Sequence, residues 1–157
     1  MEIVQETPNI KSFRVRFDDE EAMRAFSFEP GQVGQLGVFG AGESTFAINS
    51  SASDKDYVQF SVMKAGEVTA ALHELNVGDK VGVRAPMGCG FPVDAWKGKS
   101  ILYIMGGIGS AALRATINYT LEHRADYDKI SILYGARTPL DLTYKYNIVE
   151  WEARDDI

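Results

Sequence analysis

Hydrophobic and polar positions alternate with a period of two through residues 11–17. Phe13, Val15 and Phe17 fall on one side, and Ser12, Arg14 and Arg16 on the other. That spacing predicts a strand with one buried face. The next four positions, Asp18 to Glu21, are all acidic and read as a solvated turn or a short helical start. Phe26 and Phe28 begin a second strand-like run, and Glu29-Pro30-Gly31-Gln32 turns the chain, because proline presets φ and glycine tolerates positive φ. Residues 33–39 predict a third strand, closed by Gly40-Ala41-Gly42, and short runs over 46–48, 57–63 and 80–85 bring the number to about six. Antiparallel strands separated by glycine turns predict a small closed barrel, which removes exposed sheet edges. One helix interrupts the series over residues 67–75, where Val68, Ala71, Leu72 and Leu75 form a stripe behind Gly66.

The period changes after Phe91-Pro92. Residues 100–105 (SILYIM) form a continuous apolar run of the kind buried on both faces of a parallel sheet. The run ends in Gly106-Gly107-Ile108-Gly109-Ser110, and a helical stretch follows over 111–123. A second apolar strand spans 130–134, ends at Gly135, and leads into an amphipathic stretch over 140–151. Strand–helix–strand–helix is the first half of an open parallel α/β domain. The expected fold class is therefore β followed by α/β: a six-stranded antiparallel barrel over residues 1–97, then a partial α/β nucleotide-binding domain over 98–157.

Composition narrows the chemistry. Lys and Arg number 16 against 22 Asp and Glu in 157 residues, a net charge of −6, which disfavours neutralising a nucleic-acid backbone. Hydrophobic residues at 45% and charged residues at 24% are the mixture of an ordinary globular chain. The single cysteine, Cys89, excludes an internal disulfide, and with two histidines there is no self-contained zinc or iron–sulfur set. No basic-then-apolar leader and no stretch near the ~20 apolar residues of a membrane span is visible, so the expected location is the cytoplasm.

Two loops carry candidate chemistry. A glycine-rich turn between a buried strand and a helix lets backbone N–H groups and the helix dipole approach a phosphate without an intervening Cβ. The spacing of Gly106-Gly107-Ile108-Gly109 is shorter than the full dinucleotide fingerprint, but its place at a strand's C-terminal end, opening a helix, favours nucleotide binding over a merely tight strand-to-helix turn. Gly66-Glu67-Val68-Thr69, at a helix start, serves either capping or anion binding, because the same unpaired N–H groups do both. Cys89 reads as a passive thiol in a turn, and His73 and His123 as surface or capping residues. No Ser-His-Asp or Cys-His constellation can be assembled.

A barrel, then G-x-V-T opening a helix, then VGVRAPMGCGFP, then GGIGSAALR, then YGARTPLDL resembles the ferredoxin–NADP reductase superfamily. The branch it most resembles holds the electron-transfer subunits of hydrogenase (gamma subunit), anaerobic sulfite reductase and dihydroorotate dehydrogenase. The resemblance implies that Gly66, Glu67, Val68 and Thr69 hold the FAD pyrophosphate, with the flavin ring against Phe46, Ala47, Ile48 and Asn49. It implies that Gly106, Gly107, Ile108, Gly109 and Ser110 meet the NAD(P)H pyrophosphate, with Tyr134, Gly135, Ala136 and Arg137 lining the far side of the nicotinamide nucleotide. The implied function is a flavin-dependent oxidoreductase component passing electrons between NAD(P)H and an iron–sulfur partner in a hetero-oligomeric redox complex. The alternative is a degenerate, non-catalytic assembly subunit of such a complex.

Three departures from the family pattern bear on these expectations. Where its flavin motif reads R-x-Y-S or P-x-S, this chain has Ser44-Thr45-Phe46-Ala47-Ile48-Asn49-Ser50, without the phosphate-pairing arginine and with Ala47 for the serine. Losing one charge-assisted contact costs about 1.5–3 kcal/mol, roughly one to two decades in affinity. Ser110 stands where larger apolar residues are common. The family's later strands and its cysteine motif for a [2Fe–2S] cluster are absent from residues 98–157, so the second unit is expected to be completed by further sequence or by another subunit.

Overall fold

The computed structural model describes residues 2–157. Six strands form the first unit: β1 (Glu2–Thr7), β2 (Ile10–Val15), β3 (Val33–Val38), β4 (Gly42–Ala47), β5 (Val58–Met63) and β6 (Gly82–Met87). They make two antiparallel three-stranded sheets, ordered β1-β2-β5 and β4-β3-β6. A single bridge between Ile48 and Phe60, with Asn49 N–H donating to Gln59 O at 2.9 Å, joins the sheets into a barrel. The predicted strand at Phe26 and Phe28 is not one. These rings tuck against Phe17 and the barrel core, Phe17 and Phe26 meeting edge-on at 5.2 Å. The sixth strand is instead β1, whose alternation (EIVQET) is too polar to announce itself.

Alternation in β5 explains how the barrel is filled and what covers it. Val58, Phe60 and Val62 point inward among Phe13, Val15, Leu36, Ile48 and Leu72. Gln59 and Ser61, on the opposite face, are just as buried, because the second unit lies over them. Helix α1 (Glu20–Ala25) starts from the acidic run, where Asp19 caps the Glu21 and Ala22 amides at 2.8 and 3.2 Å. Helix α2 (Glu67–His73) closes one end of the barrel through Leu72. His73 is a correction to the surface expectation. It is buried, its Nε2 sits 2.9 Å from Val62 O, and its ring meets Phe13 edge-on. His123 is exposed and stacked on Tyr119 at 4.4 Å.

Packing between the sheets leaves no spare volume at Gly34. A Cβ there would stand 2.8 Å from Ala85 Cβ and 3.0 Å from the Phe60 ring. Gly34→Ala is expected to lower unfolding free energy by about 1–3 kcal/mol through overpacking. A denaturant titration checks this, and an unchanged midpoint would contradict it.

The second unit has β7 (Ile101–Gly106) parallel to β8 (Ile130–Gly135), with Gly106 opposite Gly135. Helices α3 (Ser110–Glu122) and α4 (Lys145–Glu152) cover one face, packing Ile117 and Trp151 on Tyr103, Met105 and Ile130. The expectation of burial on both faces does not hold. Leu102, Ile104 and Leu133 are 56%, 68% and 58% exposed, because both helices lie on the same side.

Candidate functional site

The C-terminal ends of β7 and β8 open into a cleft of about 540 Å³ facing the barrel. Gly106, Gly107, Ile108, Gly135, Ala136, Arg137 and Asp141 form one wall, and Thr7, Asn9, Ile10 and Met63 the other. Ligands of open α/β sheets bind at this end of the strands. Glycine at both strand termini keeps side chains out of the floor, and a Cβ at Gly107, Gly109 or Gly135 would meet nothing within 4 Å. Gly107 also has φ of +49°, a left-handed conformation that glycine adopts at least cost.

The glycine loop is held from beneath. Ser110 Oγ and Tyr134 Oη both donate to Gly107 O, at 2.8 and 3.0 Å. Thr143 Oγ1 lies 2.7 Å from each hydroxyl. The Gly107 carbonyl is thereby turned inward, away from the cleft. Ser110 is fully buried, so it shapes the loop and its hydroxyl does not face the cleft. Tyr134 likewise acts from below, whereas Arg137 stands exposed on the rim.

At the other predicted loop, Thr69 Oγ1 accepts from the Ala65 and Gly66 amides at 2.8 Å each and donates to Gly66 O at 2.9 Å. Capping therefore occupies that hydroxyl. The first-turn amides of Glu67 and Val68 have no intrahelical partner, and a Cβ at Gly66 would meet open space. The loop follows directly from Met63 on the cleft wall. Of the four residues expected against a flavin ring, Phe46 and Ala47 keep exposed surface. Ile48 belongs to the barrel core, and Asn49 is buried at the junction with the second unit.

That junction is a polar seam which no motif in the sequence announces. The Asn49 amide lies 2.9 Å from Ser61 Oγ and 3.1 Å from Tyr144 Oη, and Tyr144 donates to Ser61 Oγ at 2.6 Å. Tyr144 N–H donates to Glu6 at 3.0 Å, and Arg114 Nη1 donates to Asn49 O at 2.6 Å. Polar positions alternating with Val and Phe in β5 are its only trace in the sequence. Burial pushes the Tyr144 phenol well above its ordinary value, against the pull of Ser61 and the Arg114 charge. Burial also pushes Tyr103 up to about 12, against its hydrogen bond to Thr120. Both phenols release protons in the unfolded chain before the folded one, so stability is full below pH ~10 and falls as pH rises beyond it, by at most about 1.4 kcal/mol per pH unit per phenol. Tyr144→Phe is expected to make that alkaline fall shallower in unfolding measurements between pH 9 and 12. An identical slope would refute the assignment.

No group of three or more His, Cys, Asp or Glu among the described residues could hold a metal ion, and none of their helices is long and apolar enough to cross a membrane. No family model matches the chain. Its sequence is 40% identical over 151 residues to the gamma subunit of sulfhydrogenase 1 from Pyrococcus furiosus, covering 96% of this chain and 51% of that protein. It is 35% identical over 144 residues to a probable dihydroorotate dehydrogenase B (NAD(+)) electron transfer subunit from Methanocaldococcus jannaschii, covering 91% and 48%. The chain spans about half the length of these curated relatives. Among solved structures, phthalate dioxygenase reductase superposes with a TM-score of 0.81 at 19% identity, over 99% of this chain and 48% of that one. A cytochrome P450 reductase from Amycolatopsis gives a TM-score of 0.81 at 22% identity, over 96% and 45%.

Proposed function

The chain belongs to the ferredoxin–NADP reductase superfamily, with hydrogenase gamma subunits and dihydroorotate dehydrogenase electron-transfer subunits as its homologues, and on that premise we propose that it forms the flavin- and nicotinamide-binding part of an electron-transfer subunit. The observation that carries the reading is the cleft, where a glycine-rich loop faces the end of β5 that leads into Gly66. FAD held there would supply hydride acceptance from NAD(P)H and one-electron release to an iron–sulfur partner.

The residues present fit such groups in one respect that can be checked directly: positions Gly66, Gly107, Gly109 and Gly135 are open where a Cβ would otherwise stand. Residues 1–97 would hold the flavin and 98–157 the nicotinamide nucleotide. Gly106 to Gly109 would admit the NAD(P)H pyrophosphate to the start of α3, with Ser110 and Tyr134 fixing the loop from below and Arg137 on the rim. Gly66 to Thr69 would take the FAD pyrophosphate on the Glu67 and Val68 amides, with the ring against Phe46 and Ala47. The partner would be an iron–sulfur subunit in the cytoplasm.

The test is a visible spectrum of the protein, within its complex, after adding FAD, followed by NADH or NADPH. Flavin bands that bleach with nicotinamide are expected. A protein that takes up no flavin and shows no diaphorase activity would sink the proposal. Ala47 and the missing arginine favour a second reading, a flavin-free assembly subunit. Electron transfer that survives Gly66→Glu and Gly107→Glu in an intact complex would select it.

A further inference from the structure

We infer that Arg114 is a positioning residue that sets the width of the cleft. It lies on α3, one turn after Ser110, and is only 6% exposed. Its guanidinium makes no ion pair among the described residues, an expensive condition for a buried cation unless other groups replace water. Four groups do so, one from the barrel, two from α4 and one from Tyr144, the residue that caps α4. Nη1 donates to Asn49 O of the barrel, Nε donates to Asn147 Oδ1 of α4 at 2.7 Å, and the rings of Tyr144 and Tyr146 face the charge at 5.0 and 5.7 Å.

The anchor points stand directly behind both cleft walls. Tyr144, clamped by Arg114, reaches Ser61, two residues before Met63, and Glu6, one residue before Thr7. On the other side α3 continues straight into the glycine loop. Tyr144 holds φ of +54°, a left-handed conformation costing a non-glycine residue about 1–3 kcal/mol, which persists only where surroundings over-determine it. Arg114 supplies the rigid fork that joins these parts, and lysine, a point charge on a flexible stem, lacks the fixed pair of donors that meets Asn49 O and Asn147.

The role in hydride transfer rests on the proposed function; the mechanical role does not, and the experiment separates them. Spin labels at Asn76→Cys on the barrel and Ala112→Cys on α3, both exposed, with Cys89→Ser to remove the native thiol, report the distance between units by pulsed EPR without any cofactor. Arg114→Lys is expected to broaden or shift a narrow distribution. If that variant fails to fold, Tyr146→Leu removes one ring from a partly exposed position and is expected to give a smaller broadening. An unchanged distribution in the folded variants overturns the inference. In flavin-loaded protein, Arg114→Lys is expected to slow flavin reduction at saturating NAD(P)H by about 10- to 100-fold, with nicotinamide affinity nearly unchanged. Equal loss of affinity and rate, with an unaltered distance, would mark a merely structural role. Wild-type protein that binds no flavin defeats the proposed function and leaves the distance measurement to decide the rest.

Discussion

Gly109→Glu is expected to weaken NAD(P)H binding at least about a hundredfold while leaving the fold intact. Gly109 has φ of −58° and ψ of −20°, a helical conformation open to any residue, and a Cβ there meets nothing within 4 Å. A carboxylate at the N-terminus of α3 interacts favourably with the helix dipole, by about 0.3–1 kcal/mol, so the melting temperature should hold or rise slightly. The same carboxylate would occupy the proposed pyrophosphate site and repel it. Exchanging a charge-assisted contact for a repulsion is worth about 3 kcal/mol, or two decades in affinity. Titration of the nicotinamide nucleotide against the flavin spectrum, beside a thermal melt, separates the effects. Unchanged affinity would remove the glycine loop from the site.

The second large effect is on stability. Phe60 is fully buried, opposes Phe13 in the β2–β5 register, and forms the one bridge that joins the two sheets through Ile48. Phe60→Ala is expected to cost about 3–5 kcal/mol, a large part of the 5–15 kcal/mol available to a native protein. Phe39→Ala, at a position 85% exposed, should stay within about 0.5 kcal/mol. Urea midpoints measure both, and a Phe60 loss below about 1 kcal/mol would show that the barrel core does not depend on this ring.

Strong local periodicity made most of the architecture readable from residues alone. The alternation at 11–17, the apolar runs ending in Gly106 and Gly135, and the helix after Gly109 each have a single local cause, and each element formed where that cause acts. Phe26 and Phe28 failed because aromatic residues two apart also suit an irregular segment capping a core. Residues 100–105 suggest burial on both faces because apolar content reports capacity for burial, while the available cover, two helices on one side, is a tertiary fact. At the candidate site, the glycines were legible because backbone freedom is written in residue type. The inward roles of Ser110 and Asn49 were not, since a hydroxyl or amide looks the same in sequence whether it faces a ligand or its own loop.

The seam also bears on the order in which the molecule forms. Tyr144 and Tyr146 contact Glu6 across 138 and 140 positions, and Tyr144 reaches Ser61 across 83. Every β2–β5 pair closes a much shorter loop. Because closure entropy grows with loop length and non-local contacts form late, the barrel is expected to be complete while Gln59, Ser61 and Asn49 are still hydrated. During synthesis these polar groups keep the half-made chain from presenting a greasy surface before its cover has emerged. Burying them then follows, and it joins β1 to the segment that opens α4.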